Sequence, residues 1–221
     1  MALTVVLATV AVLIVLSALA LVTTGRALGR PLIYGGSLAL CGIGLVAGLA
    51  ALLGQAPAES SILPIGLPWV GAHFRLDALS AFFLVVINLG GGAASLYGIG
   101  FGRHETAPQR VLPFYPLFLA AMTLVVIADD AYTFLFSWEF MSLSSWALVM
   151  AHDHVRENLR AGYVYLVMAS FGTFALLLAF GLLAGSDGAY AFDAIRATHP
   201  APTLVALVLI LVLIGTGSKA G

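Results

Sequence analysis

The sequence predicts an all-α, polytopic membrane protein. Three observations predict it: a composition too apolar for water, apolar residues gathered into long runs, and no alternating strand pattern. Of the 221 residues, 62% are hydrophobic and only 9% are charged, and the mean hydropathy is +1.09, far from the mixture of a water-soluble domain. Backbone polar groups have no water to bind in a hydrocarbon core, so runs of this length are read as helices. A net charge of -1 supplies no basic surface, which excludes a nucleic-acid partner. The partner that the composition implies is the lipid bilayer.

Seven apolar segments emerge, at residues 2–24, 31–53, 78–101, 112–128, 131–151, 159–184 and 202–221, each long enough to span a core of about 30 Å. The first offers Ser17-Ala18-Leu19-Ala20 as a possible cleavage site, but no Lys or Arg precedes it. Its length of about 22 residues also suits a retained helix better than a secretory signal. Asp77 is placed to cap the third segment, and Pro113 and Pro116 fit the first turn of the fourth. Asp129 and Asp130 mark a tight turn between the fourth and fifth. The connection from Gln55 to Asp77 is the longest, and Pro57, Pro64, Pro68 and Trp69 suggest an ordered stretch lying at the membrane interface.

Small and polar residues refine this outline. Gly90, Gly91, Gly92 and Gly98 allow close helix contact in the third segment. Cys41 is the sole cysteine, so no intrachain disulfide or cysteine-held cluster is expected, and it reads as a packing residue. The five histidines, His73, His104, His152, His154 and His199, fall in the polar connections. His152 and His154 are too weak a ligand pair to assign a metal. Arg26, Arg30, Arg103, Arg110, Arg156 and Arg160 lie in odd-numbered connections, against Arg75 and Arg196 in even-numbered ones. The bias places the odd loops in the cytoplasm and the amino terminus on the outer, periplasmic side of the cell's inner (plasma) membrane.

Two ionisable side chains stand inside the spans. Glu139 lies roughly 12 Å along the fifth segment at 1.5 Å per residue, and Lys219, the only lysine, follows an almost unbroken aliphatic run. Each costs at least about 2.5–3.5 kcal/mol at a helix centre, a cost that a passive anchor does not require. Tyr132, Ser142 and Trp146 share the helical face of Glu139 and are candidates to line a hydrated path. The alternative for Glu139 is polar bonding to a neighbouring helix, and for Lys219, snorkelling to the interface. Gly215 and Gly217 precede the lysine and Gly221 follows it, so a broken helix is expected there, with backbone dipoles exposed near mid-membrane. Such a pair suits proton transfer. Opposite charges about 4 Å apart interact by roughly 4 kcal/mol at an effective dielectric near 20, so moving the carboxylate changes whether the lysine holds its proton. Counting from the helix starts puts the two at different depths, and direct contact is not implied.

The stretch Phe74-Arg75-Leu76-Asp77-Ala78-Leu79-Ser80-Ala81-Phe82-Phe83 and its glycine-rich helix resemble the antiporter-like subunits of the complex I superfamily. So does the stretch from Asp129 to Trp146, whose Trp138-Glu139-Phe140-Met141-Ser142-Leu143-Ser144-Ser145-Trp146 wording is most similar to component B of hydrogenase-4 and formate hydrogenlyase. Gly217-Ser218-Lys219-Ala220-Gly221 is similar to the family's seventh-helix lysine motif. The resemblance covers residues 73–221 and implies that Glu139 is the carboxylate modulating the lysine and Lys219 the proton carrier. It further implies a longer inverted-repeat fold, with residues 1–221 as a single transmembrane domain, the first part of that repeat, ending in the seventh helix.

The function implied is proton translocation coupled to electron transfer in a hydrogenase-4, formate hydrogenlyase or NADH dehydrogenase-like complex. No cofactor site, metal site or catalytic residue is expected in this chain. Nickel-iron and iron-sulfur centres or flavin belong to partner subunits, a peripheral redox arm beside other membrane subunits. Two other readings stay open: a subunit of a multisubunit cation/proton antiporter, and a non-transporting membrane scaffold for a peripheral enzyme.

Overall fold

The computed structural model describes residues 1–23, 26, 28–54, 58–66, 71–105, 107–152, 156–186 and 188–220. Its elements in chain order are α1 (Ala2–Thr23), α2 (Gly29–Leu53), β1 (Glu59–Leu63), β2 (Ala72–Leu76), α3 (Ala78–Phe101), α4 (Pro108–Val111), α5 (Phe114–Ile127), α6 (Ala131–Val149), α7 (Arg156–Ala184), α8 (Phe192–Ala197) and α9 (Pro202–Ala220). All seven expected segments are helices. Among the described residues six stretches are long and apolar enough to cross a membrane, with α4 and α5 together forming one, Pro108–Ile127. The remaining long helix is α6, whose serines, Thr133, Tyr132 and Glu139 dilute its hydropathy. It is the helix that carries the candidate acid.

The exterior is far more apolar than that of a water-soluble protein. Ser95, Ser142 and Ser144 are buried and hydrogen-bonded, while Leu21, Val46, Phe83, Leu89 and Phe174 are exposed, as expected when the surrounding solvent is lipid and polar groups pair inside. α1, α2, α3 and α5 form one packed group around Val10, Leu13, Cys41, Leu119 and Ala120. Hydrogen bonds cross it: the Ser17 hydroxyl donates to the Pro113 carbonyl at 2.7 Å, and the Tyr115 hydroxyl donates to the Gly91 carbonyl at 2.9 Å. Gly91 and Gly98 serve the close approach that the sequence implied. A Cβ at Gly91 would stand 2.7 Å from Leu119, and one at Gly98 2.6 Å from the Tyr34 ring, whereas Gly90 faces open space.

The expectation that strands are absent is corrected. β1 and β2 pair antiparallel, Glu59 opposite Leu76 and Leu63 opposite Ala72, and β2 turns Ala72, Phe74 and Leu76 into the core beside Leu84 and Ile127. Five-residue strands are too short to register against the long apolar runs, and this pair lies outside the spans, where hairpin edges tolerate water. Pro64 follows β1, while Gln55, Pro57, Pro68 and Trp69 lie outside the described residues, as do His154 and Gly221.

The tight turn expected at Asp129–Asp130 is an extended link instead. Phe74 bridges to Ala128 and Asp130 to Ala191, so β2, this link and the approach to α8 close one end of the helix group. Asp130 is fully buried. Its carboxylate caps α6 by accepting from the Thr133 N–H at 2.7 Å, and it also accepts from the His73 N–H at 2.9 Å, satisfying two donors that would otherwise be orphaned. His73 is thus a strand residue rather than a loop residue.

At the same end Arg75 draws in Asp77 at 3.5 Å, Asp129 at 4.0 Å and Asp193 at 3.4 Å. Burial pushes the Asp129 carboxyl above its usual range against the pull of Arg75. Burial also pushes Asp77 upward, but its hydrogen bonds from Ser80 and the charge of Arg75 outweigh this and leave it below the ordinary value.

Candidate functional site

The candidate site lies where α6, α7 and α9 meet. α7 and α9 pack backbone to backbone at two glycines: a Cβ on Gly172 would stand 2.7 Å from the Gly215 carbonyl oxygen, and one on Gly215 2.9 Å from that of Gly172. The helix break expected around Gly215 and Gly217 is therefore corrected. α9 runs unbroken to Ala220, because Gly215 removes a side chain from a crowded crossing rather than a turn from the helix. This close crossing brings the last turn of α9 against α7 and aims Lys219 at α6.

Lys219 donates to the Ser142 hydroxyl at 2.7 Å and to the Tyr165 hydroxyl at 2.7 Å. Its ammonium also stands 4.9 Å from the Tyr165 ring centre and 5.8 Å from that of Trp138, within the range of cation–π attraction. The Ser142 hydroxyl donates in turn to the Trp138 carbonyl at 2.9 Å. Tyr165 and Ser145 hydroxyls lie 2.5 Å apart. Lys219 is half-buried and held by neutral acceptors, so it does not snorkel freely among the described residues.

Glu139 bonds a different partner. Its Oε2 accepts from the Thr173 hydroxyl of α7 at 2.8 Å, and among the described residues no carboxylate lies in ion-pair contact with Lys219. The link between them is Ser142, three residues beyond Glu139 on α6 and about 4.5 Å of helical rise away, whose hydroxyl accepts from Lys219. Counting from the helix starts implied no direct contact, and the structure joins the two through side chains of α6 and α7 rather than by an ion pair.

The proposed path-lining residues divide. Ser142 is buried and in the site. Tyr132 lies two turns away, beside Gly66, on an apolar cavity of about 320 Å³ that Phe74, Thr133 and Ser137 also line. Trp146 sits over Gly162 at the start of α7, with its ring nitrogen 3.5 Å from where a Cβ would be. Trp138, Ser145, Tyr165 and Thr173 were missed. Tyr165 and Thr173 could have been found as polar residues eight apart within an apolar helix, a spacing that turns both toward similar faces.

This fold is that of a multi-pass membrane protein with an acid and a base inside its helices. Residues 128–221 match the family described as NADH:quinone oxidoreductase/Mrp antiporter, transmembrane. The chain is 34% identical over 149 residues to hydrogenase-4 component B of Escherichia coli strain K12, covering 66% of this chain and 22% of that protein. It is 28% identical over 193 residues to NADH-quinone oxidoreductase subunit L of Mycobacterium tuberculosis, covering 83% of this chain and 30% of that one.

Among solved structures, the Mrp complex from Dietzia sp. DQ12-45-1b shares the fold with a TM-score of 0.79 at 19% identity, over 97% of this chain and 23% of its counterpart. The resemblance drawn from the motifs around Glu139 and Lys219 is thereby borne out. The chain spans about a quarter of the length of the curated relatives that it matches, 24% and 22% in two of them.

Proposed function

We propose that this chain carries part of the ion path of a proton-translocating membrane subunit in a redox-driven complex of the hydrogenase-4, formate hydrogenlyase or NADH dehydrogenase type. In this reading Lys219 carries the proton and Glu139 modulates it. The observation that carries the reading is a lysine ammonium held where three helices meet by the hydroxyls of Tyr165 and of Ser142, which lies three residues from the carboxylate of Glu139 on the same helix. A passive scaffold has no use for such a pair, since each charge costs at least about 2.5–3.5 kcal/mol.

The redox centres, nickel-iron and iron-sulfur or flavin, reside in a peripheral arm of partner subunits, and other membrane subunits complete the path. The amino terminus faces the periplasm of the cell's inner membrane. A second reading, a subunit of a cation/proton antiporter, is favoured by the Mrp fold match and the family description.

The test is proton pumping by the whole subunit in its complex, reconstituted in vesicles. Glu139→Gln and Lys219→Ala each abolish pumping while the complex assembles. Wild-type coupling in both variants defeats the reading, and pumping that needs Na⁺ in place of electron donor selects the antiporter.

A further inference from the structure

The two hydroxyls that α7 sends into the site are each shared between two partners, and a hydroxyl has only one proton to give. The Thr173 Oγ1 lies 2.8 Å from Glu139 Oε2 and 3.1 Å from the Ala169 carbonyl oxygen. The Tyr165 oxygen lies 2.7 Å from Lys219 Nζ and 2.5 Å from Ser145 Oγ. We propose that α7 gives each member of the Glu139–Lys219 pair a hydroxyl able to serve both of its protonation states, Thr173 for the acid and Tyr165 for the base. The proposal rests on the reading of this pair as an ion path and assigns two positioning residues to it.

The donor directions follow from chemistry. An ionised Glu139 has no proton to give, so Thr173 turns its O–H to Oε2. A protonated Glu139 donates to Thr173 Oγ1, and Thr173 then turns to the Ala169 carbonyl. An ammonium accepts nothing, so Lys219 donates to Tyr165, Tyr165 donates to Ser145, and Ser145 donates to the Ser142 carbonyl at 3.1 Å. A neutral Lys219 amine has a lone pair, and Tyr165 then turns its O–H toward it. In each state Glu139 Oε2, Lys219 Nζ and the Thr173 and Tyr165 hydroxyls keep a partner, and each rearrangement is a rotation about a single C–O bond. An unpaired group at this depth costs the full desolvation penalty, which would trap the pair in one charge state.

The other titratable groups of these helices are placed elsewhere. Arg156, Glu157 and Arg160 lie in the first turns of α7 and are exposed, Tyr163 is exposed, Tyr132 stands on the far cavity, and α9 carries no other charge.

The experiment is the pH profile of pumping by the whole complex in vesicles. Thr173→Val removes a partner from both states of Glu139, and because the bond to the charged carboxylate is the stronger of the two, the acid limb moves to higher pH by about one unit. Tyr165→Phe removes a partner from both states of Lys219, and because the bond from the ammonium is the stronger of the two, the alkaline limb moves to lower pH by about one unit. Thr173→Ser keeps the hydroxyl and restores the wild-type acid limb. Reduced pumping with both limbs in place overturns the proposal and leaves a packing role, as does a Thr173→Ser profile matching that of Thr173→Val. If Tyr165→Phe does not assemble, Ser145→Ala tests the same chain, with a smaller downward shift expected and an unmoved limb counting against it. Loss of pumping in Lys219→Ala beside unmoved limbs refutes this inference alone; retained pumping in both Lys219→Ala and Glu139→Gln refutes the reading beneath it.

Discussion

Replacing Gly172 by Ala tests whether the α7–α9 crossing sets the geometry of the lysine. The added Cβ would stand 2.7 Å from the Gly215 carbonyl oxygen, where ordinary contact begins at 3.4 Å, and the Ser218 hydroxyl lies closer still. Relief therefore needs a separation of about 0.7 Å, since an interior packs as tightly as a crystal and does not absorb a methyl freely. Carried to the last turn of α9, that shift would stretch the 2.7 Å bonds from Lys219 to Ser142 and Tyr165 to about 3.4 Å, where little of a hydrogen bond is left.

Overpacking of this kind costs about 1–3 kcal/mol, more than the roughly 1 kcal/mol gained by replacing a helical glycine. Gly215→Ala acts alike. Gly181 on α7 and Gly217 on α9 meet nothing within 4 Å, so Gly181→Ala and Gly217→Ala are matched controls with unchanged or slightly raised stability. The assay is thermal unfolding of the purified complex in detergent beside pumping in vesicles. Equal behaviour of Gly172→Ala and Gly181→Ala in both measurements refutes the reasoning.

Two further predictions concern the closed end of the helix group. Asp130→Ala strips two buried N–H donors of their acceptor and costs about 3 kcal/mol, the sum of a lost cap and a lost charge-assisted bond. Amide exchange at Thr133 and His73 reports it, and unchanged protection would contradict the capping role. Asp129, raised by burial, binds its proton more tightly folded than unfolded. Its contribution to stability is therefore complete below the unfolded carboxyl value and lost as pH rises through the folded one. Asp129→Asn should flatten the fall of the thermal midpoint over that window, and an unaltered slope would show that the group does not contribute.

The spans were legible because hydropathy encodes them directly: a run from Leu204 to Ile214 has few alternatives to a membrane helix, and Asp77 announced the start of α3. The hairpin was not, since Glu59–Leu63 and Ala72–Leu76 are short strands whose pairing depends on each other and on Asp130. Glu139 and Lys219 were visible as charges out of place in apolar runs, and no local signal recorded that Lys219 would find Ser142 77 residues away. The misread helix break at Gly215 has the same cause, because glycine weakens a helix in isolation and serves close packing when Gly172 lies opposite. Tyr165 and Thr173 went unnoticed because a neutral hydroxyl costs little to insert and so leaves no anomaly in the sequence.

The central claim is that Glu139 gains and loses a proton as the complex works. Infrared difference spectroscopy of the whole complex during turnover should show a carboxyl band that vanishes in Glu139→Gln and changes sign with the redox state. A turnover spectrum whose carboxyl region is the same with and without that substitution would contradict it.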